Sequence, residues 1–260
     1  MSAARIHPTA IVASGAELDD EVTVDAYAII GAHVRIGRGT RVGAHAVIDG
    51  RTRIGCENQI FPHASVGAVP QDLKYRGEAS ELVIGDNNII REFATVNIGT
   101  TGGGMVTRVG GHNLLMNYSH VAHDCQLGSH IILANGAQLG GHVVIEDYVV
   151  VGALVGVHQF VKIGESAILG AGAMVSQDVP PFCNATGDRA RLHGLNQVGL
   201  KRRGFDAATL GNLKRAYRTM FQSKLKVVDA AAQIRLEITS SPPVEQFVAF
   251  ILASERGVCR

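Results

Sequence analysis

The chain contains no tryptophan, and aromatic residues make up only 5% of it. A core built on large rings is excluded. Aromatic faces for the bases of single-stranded nucleic acid to stack on are few as well, and no nucleic-acid partner is expected. Charge of one sign is missing as well. The 24 lysines and arginines stand against 23 acidic residues, a net charge of +1 at pH 7. The molecule as a whole therefore exerts no long-range pull on an anionic partner, and any such partner must be read from local patches. The four cysteines are Cys56, Cys125, Cys183 and Cys259. None forms a C-x-x-C pair, and the spacing suits neither a disulfide framework nor a zinc ribbon. Reduced thiols and a cytoplasmic location are the expectation. No run of about 18 apolar residues occurs, so no membrane span is predicted. The start, "MSAARIHPTAIV", lacks the apolar stretch of a signal peptide.

What the chain has in quantity is glycine, 31 residues, and a period of six. From Ile6, steps of six land on Val12, Leu18, Val24, Ile30, Ile36, Val42, Ile48, Ile54, Ile60 and Val66. The register resumes at Ile84, Ile90 and Val96, slips by one, and runs from Val109 through Leu115, Val121, Leu127 and onward to Leu169 and Val175. Two residues before the aliphatic one stands a small or β-branched residue, as at Ala28, Val34, Thr40, Ala46, Thr52, Ser119 and Ala137. Six fits neither a helix nor simple strand alternation. It fits a short strand and a turn wound around a triangular prism, with the aliphatic residue inward. Three hexads make one coil, and successive coils hydrogen-bond at about 4.8 Å.

Two stretches break the pattern, 67–83 and about 97–108. Loops leaving a rigid scaffold are good places for function, and the first collects Gln71, Asp72 and Lys74. The repeat ends at "QDVPP". Beyond it, Asp206 is placed to cap a helix over 207–223, a second helix is predicted over 228–239, and "PPVEQFVAFILAS" starts a third. The expected organisation is a β-helix over 1–183 and a small helical domain over 184–260.

The register also sorts the histidines. His33, His45, His63, His112, His130 and His142 all fall three residues after an aliphatic position, at the turn corner, where a solvated side chain is the plain expectation. His120, His123 and His158 fall elsewhere. Residues 18 apart stack on successive coils, so Gly141 lies over His123 and His142 over Asp124. A histidine is suited to take a proton near neutral pH. Asp124 is placed to orient it, and the Gly141 N–H to steady an oxyanion. Zinc held by His120, His123 and His142 is the rival reading of the same residues. Cys125 falls on the inward position and reads as core.

"VPQDLKY" (69–75), "SHVAHDC" (119–125), "LGGHV" (139–143), "GVHQF" (156–160), "QDVPPF" (177–182) and "GLKRRGF" (199–205) closely resemble the UDP-N-acetylglucosamine O-acyltransferases, and the match spans nearly the whole chain. The resemblance implies a left-handed parallel β-helix followed by a small α-helical C-terminal domain. It implies transfer of a 3-hydroxyacyl group from an acyl carrier protein to the sugar's 3-hydroxyl, the first step of lipid A biosynthesis. No cofactor or metal is implied. His123 matches the general base, Asp124 its partner and Gly141 the oxyanion donor. Asp72, Lys74, His120, His142, His158, Gln159, Asn196 and Arg202 match residues lining the substrate cleft, and Ala171 matches the position that limits acyl length. The family is a homotrimer with sites between neighbouring prisms. A related N-acyltransferase carries an extra N-terminal domain, for which hexads starting at Ile6 leave no room.

Between 201 and 226 stand eight basic residues and one acidic. Lys201, Arg202, Arg203, Lys214, Arg215 and Arg218 form the expected docking patch for an acidic carrier protein. Asn97, Val198 and Arg189 depart from the family's usual His, Glu and His. These positions bear on the sugar and nucleotide, so the 3-amino analogue of the sugar stands as the alternative acceptor. A zinc-dependent hydrolyase is the alternative of another class.

Overall fold

The computed structural model describes residues 3–260, so the first two residues of the expected 1–183 range lie outside the described residues. Each hexad becomes a strand of two to four residues, from Arg5–Ile6 to Met174–Val175, that ends on or beside the periodic aliphatic residue. Every third strand pairs in parallel, giving three sheets of eleven, nine and eight strands, here sheets 1, 2 and 3. Val24 pairs with Ile6 and Val42 with Val24, one coil per step. This is the parallel β-helix expected from the hexads, left-handed as the resemblance implied. The aliphatic columns meet on the axis, and Val42, Ile48, Leu115, Val121 and Leu133 are fully buried. Each such side chain removed from water contributes about 1.5–3 kcal/mol. The residues two places earlier fill the gaps, with Ala28, Val34, Thr40, Ala46 and Thr52 equally buried. Where that column is polar its members are mostly paired, although the Ser119 hydroxyl has no partner among the described residues. Asn88 donates its backbone N–H to the Asn58 side chain at 2.8 Å, and Asn113 to that of Asn88 at 2.9 Å.

The corner residues take a left-handed backbone, with φ of 59° at His45, 62° at Asp124 and 62° at His142. Because they recur once per coil, their rings stack. His33, His45, His63, His112 and His130 are exposed as expected, and His142 is half-buried; several of them also stack. His45 and His63 belong to a five-ring column running from Tyr27 to Phe93 and Tyr118, with centroids 5.0–5.1 Å apart. On another corner His130 lies between His112 and Tyr148.

Both insertions leave the same corner. Ser65–Ala68 and Thr95–Asn97 belong to sheet 2, and the chain re-enters in sheet 3 at Glu81–Ile84 and Val106–Val109. One coil further on, that corner carries Asp124.

Sheet 1 runs through the expected boundary at 183/184. Cys183–Thr186 pairs in parallel with Ile168–Leu169, and Arg191–Leu195 folds back antiparallel on it. Four helices follow: α1 Gln197–Arg202, α2 Ala207–Gln222, α3 Val227–Glu237 and α4 Pro242–Ala253. The short α1 has no counterpart in the sequence reading. Asp206 caps α2 by accepting the Thr209 N–H at 2.7 Å, and this contact holds its carboxyl below the usual range. The helices enclose a second core with Leu213, Phe247 and Val248, reaching the prism through Phe182. Asp178 fastens the C-terminal tail to the last coil. Its carboxylate accepts from the Lys162 N–H at 2.8 Å and the Ser254 hydroxyl at 2.7 Å, and its backbone pairs with Gly257 and Cys259.

Candidate active site

His123 and Asp124 are adjacent in sequence and form a dyad. The His123 Nδ1 and the Asp124 Oδ2 are 2.8 Å apart. A carboxylate only accepts, so Nδ1 carries a proton, and in the neutral ring the lone pair is on Nε2. The Asp124 side chain is fully buried, while His123 keeps 14% of its side chain exposed. The stacking expected from the register is present. A Cβ added to Gly141 would lie 2.7 Å from the His123 Nε2, so only glycine leaves the ring its place. His142 crosses His123 edge-on, with its Nε2 3.8 Å from Asp124, and stacks on Phe160 at 4.3 Å.

The Gly141 N–H has a geometric reason to be free. Where the repeat is unbroken, main-chain pairing leaves the second residue after the core aliphatic without a carbonyl. At Cys56, Gly111, Ser129 and Glu165 that N–H donates to Asp86, Ser129, Asp147 and Glu146 side chains. Among the described residues nothing takes the Gly141 N–H, and it borders a cleft of about 690 Å³.

The cleft runs along sheet 2 and is lined by His120, His123, Gly141, His158, Gln159 and Arg189, among others. His120 meets the Thr95 hydroxyl through Nδ1 at 2.7 Å. Burial, and then the nearby His123, push its pKa down. Burial also pushes His142 down, against the pull of Asp124. Arg256 reaches His158 from the C-terminal tail, donating to its Nδ1 at 2.9 Å while it holds the Ser176 carbonyl at 2.7 Å. The Gln159 carbonyl also lies 3.1 Å from that nitrogen. A guanidinium can only donate, so against Arg256 the His158 Nδ1 accepts and its Nε2 carries the proton.

Other expected residues are not gathered here. Asp72 is half-buried outside the cleft but close enough to His142 to act on its charge, and Lys74 is exposed. Ala171 sits at the opposite edge of sheet 2, above Gly152. Asn196 is engaged within the fold, capping α1 through Gly199 and donating to the Ser166 carbonyl. Arg202 is exposed on α1. Arg203 is not a free docking charge. It pairs with Glu165 at 2.6 Å and lies 3.6 Å over the Tyr148 ring. Lys201, Lys214, Arg215 and Arg218 are exposed. Of the three departures, Arg189 lines the cleft, Val198 is exposed on α1, and Asn97 is buried against the Ala68 and Val69 carbonyls. Cys125 is core, with burial pushing its thiol up to about 12.

The groups spaced to hold a metal ion are His123, Asp124 and His142, whose ligand atoms lie within 4.8 Å of one another. His120 is outside that group, its Nδ1 turned to Thr95.

Sequence reasoning missed the supports of the dyad. Asp124 Oδ1 accepts the Thr100 N–H at 2.8 Å and Oδ2 the Thr100 hydroxyl at 2.6 Å, while the Asp124 N–H donates to the Thr107 hydroxyl at 2.8 Å. Thr107 stands on an inward hexad position and was within reach of the register. Thr100 lies in an insertion that breaks it.

Comparison with known proteins identifies the family. The bacterial transferase hexapeptide family profile matches residues 15–50, and that of UDP-N-acetylglucosamine O-acyltransferase domain 2 matches residues 178–259. The acyl-[acyl-carrier-protein]–UDP-N-acetylglucosamine O-acyltransferase of Sulfurovum sp. is 53% identical over 97% of this chain and 96% of its own length. That of Syntrophobacter fumaroxidans is 49% identical over 98% of this chain and 100% of its own. The solved UDP-N-acetylglucosamine acyltransferase from Campylobacter jejuni superimposes with a TM-score of 0.93 at 43% identity, covering 98% of this chain and 99% of that one. The chain belongs to the UDP-N-acetylglucosamine O-acyltransferase family.

Proposed function

We propose that this protein transfers a 3-hydroxyacyl group from an acyl carrier protein to the 3-hydroxyl of UDP-N-acetylglucosamine, opening lipid A biosynthesis, with His123 as general base. The observation that carries this reading is the dyad itself. His123 donates its Nδ1–H to Asp124 in a hydrogen bond and turns Nε2 toward Gly141 in a cleft. Nε2 takes the proton of the sugar hydroxyl as its oxygen attacks the thioester carbonyl, forming the C–O bond. The carbonyl electrons move onto oxygen, which faces the open Gly141 N–H. Collapse then breaks the C–S bond, its electron pair leaving with sulfur, and Nε2 returns its proton to that thiolate, releasing the carrier protein's thiol. No metal or cofactor takes part in these steps.

The cleft side chains bind the sugar nucleotide. His120 and His142, held neutral by burial, offer hydrogen bonds without a competing charge, and His158, Gln159 and Arg189 line the far end. Asn196, Arg202 and Ala171 lie away from His123 within one chain. Side-by-side packing of prisms in a homotrimer is the arrangement in which a neighbour contributes them. Lys201, Arg202, Lys214, Arg215 and Arg218 form the face for an acidic carrier protein in the cytoplasm. Alanine at 171 sets a medium to moderately long acyl chain.

Mass spectrometry of products from 3-hydroxyacyl-carrier protein and UDP-N-acetylglucosamine, in chelator, tests the reading. The wild type yields an acylated UDP-sugar and His123→Ala does not. A preference of tenfold or more for the 3-amino sugar overturns the acceptor, and activity that requires added zinc overturns the base.

A further inference from the structure

We infer that Thr100 is a positioning residue of this reaction, and that the chemical role of the 97–108 insertion is to close over Asp124; the inference rests on the general-base reading above. Thr100 is itself 4% exposed. Its N–H and hydroxyl engage different oxygens of one carboxylate, at 2.8 and 2.6 Å. Two donors from one residue fix the plane of that carboxylate. The plane fixes the direction in which Oδ2 receives the His123 Nδ1–H, and hence where Nε2 points. Thr100 is held in turn by its own loop. The Gly103 and Met105 N–H groups donate to its carbonyl at 3.2 and 2.9 Å.

Gly103 supplies the cover. A Cβ there would lie 2.0 Å from the Asp124 Cγ, so the bare backbone lies against the carboxylate and excludes water from that side. Thr107, where the insertion re-enters the coil, takes the Asp124 N–H. The insertion therefore meets this corner residue on its backbone and on both its oxygens. The other insertion joins in through Glu78, which accepts from the Thr101 N–H and hydroxyl at 3.4 Å.

Steady-state kinetics of the full-length enzyme test this, with Thr100→Val, Thr100→Ser and Gly103→Ala beside His123→Ala. Valine keeps the shape and the N–H but removes the hydroxyl. The expected result is a kcat about tenfold lower with KM for both substrates within twofold. Thr100→Ser restores kcat to within threefold of wild type. Gly103→Ala loses at least as much as Thr100→Val. The hydrogen-bonded Nδ1–H resonance of His123, assigned by its loss in His123→Ala, persists in Thr100→Ser and moves in Thr100→Val. A purely structural threonine would leave that resonance in place. Wild-type kcat in Thr100→Val overturns the inference, as does a loss seen only in KM with the resonance unmoved. Should Thr100→Val not fold, wild-type kcat in Gly103→Ala is equally decisive against it. An active His123→Ala defeats the base reading and takes this inference with it, whereas an inactive His123→Ala beside a wild-type Thr100→Val defeats this inference alone.

Discussion

His130 and His142 hold the same place in the hexad, three residues after Leu127 and Leu139, with φ of 59° and 62°. His130 lies exposed between two rings on a corner without insertions. His142 faces a buried carboxylate on the corner from which both insertions rise. The repeat assigns the two residues the same backbone and the same direction. What separates them is what the neighbouring coils send over the corner. A hexapeptide coil thus delivers many equivalent positions, and the interruptions of the repeat decide which of them does chemistry.

Gly141→Ala tests the working corner most severely. The added methyl would lie 2.6 Å from His123 Cε1, so the ring must leave its place. A loss of about a hundredfold in kcat is expected, with a melting temperature close to wild type. Arg256→Ala releases His158 to either tautomer, and KM for the sugar nucleotide should rise a few-fold with kcat nearly unchanged. His130→Ala, on the other corner, should leave kinetics within twofold. It should cost about 1 kcal/mol of stability in chemical denaturation through lost ring stacking. An equal effect of His130→Ala on kcat would dissolve the contrast between corners.

The smallest effect is on pH dependence. His120 and His142 have folded pKa values depressed below the ordinary 6.5 by burial. The unfolded chain then binds the extra protons first, so stability present above about pH 6.5 declines as pH falls toward the folded values. His120→Gln and His142→Gln should each flatten that decline in melting curves taken across the acid range. Melting temperatures that fall equally steeply in all three proteins would show that other groups govern it.

The six-residue period placed the core, the three-sided coil and the stacking of Gly141 over His123 directly, because one coil is a constant 18 residues wherever the repeat is unbroken. That constancy is why Cys125 could be assigned to the core and His142 to the side of Asp124. The same arithmetic fails across an insertion. Thr100 meets Asp124 from 24 residues away, a separation no register predicts. It fails again at Arg256, 98 residues from His158, because the tail's path depends on how the helices pack. Residues in the basic run of 201–218 could be counted but not sorted. Only the packing reveals that Arg203 is held by Glu165 and Tyr148 while Lys214 and Arg218 face outward.

The fastening at Asp178 has a consequence for how the molecule comes apart. A stack in which each coil touches only its neighbours unravels from whichever end is least secured. The last coil is tied to the tail by three contacts of Asp178, whereas in the first coil the inward Ile6 is 47% exposed. Fraying therefore starts at the N-terminal end and travels toward the active corner. Amide exchange should slow coil by coil along the prism, which gives this repetitive structure a polarity in time that its symmetry does not suggest.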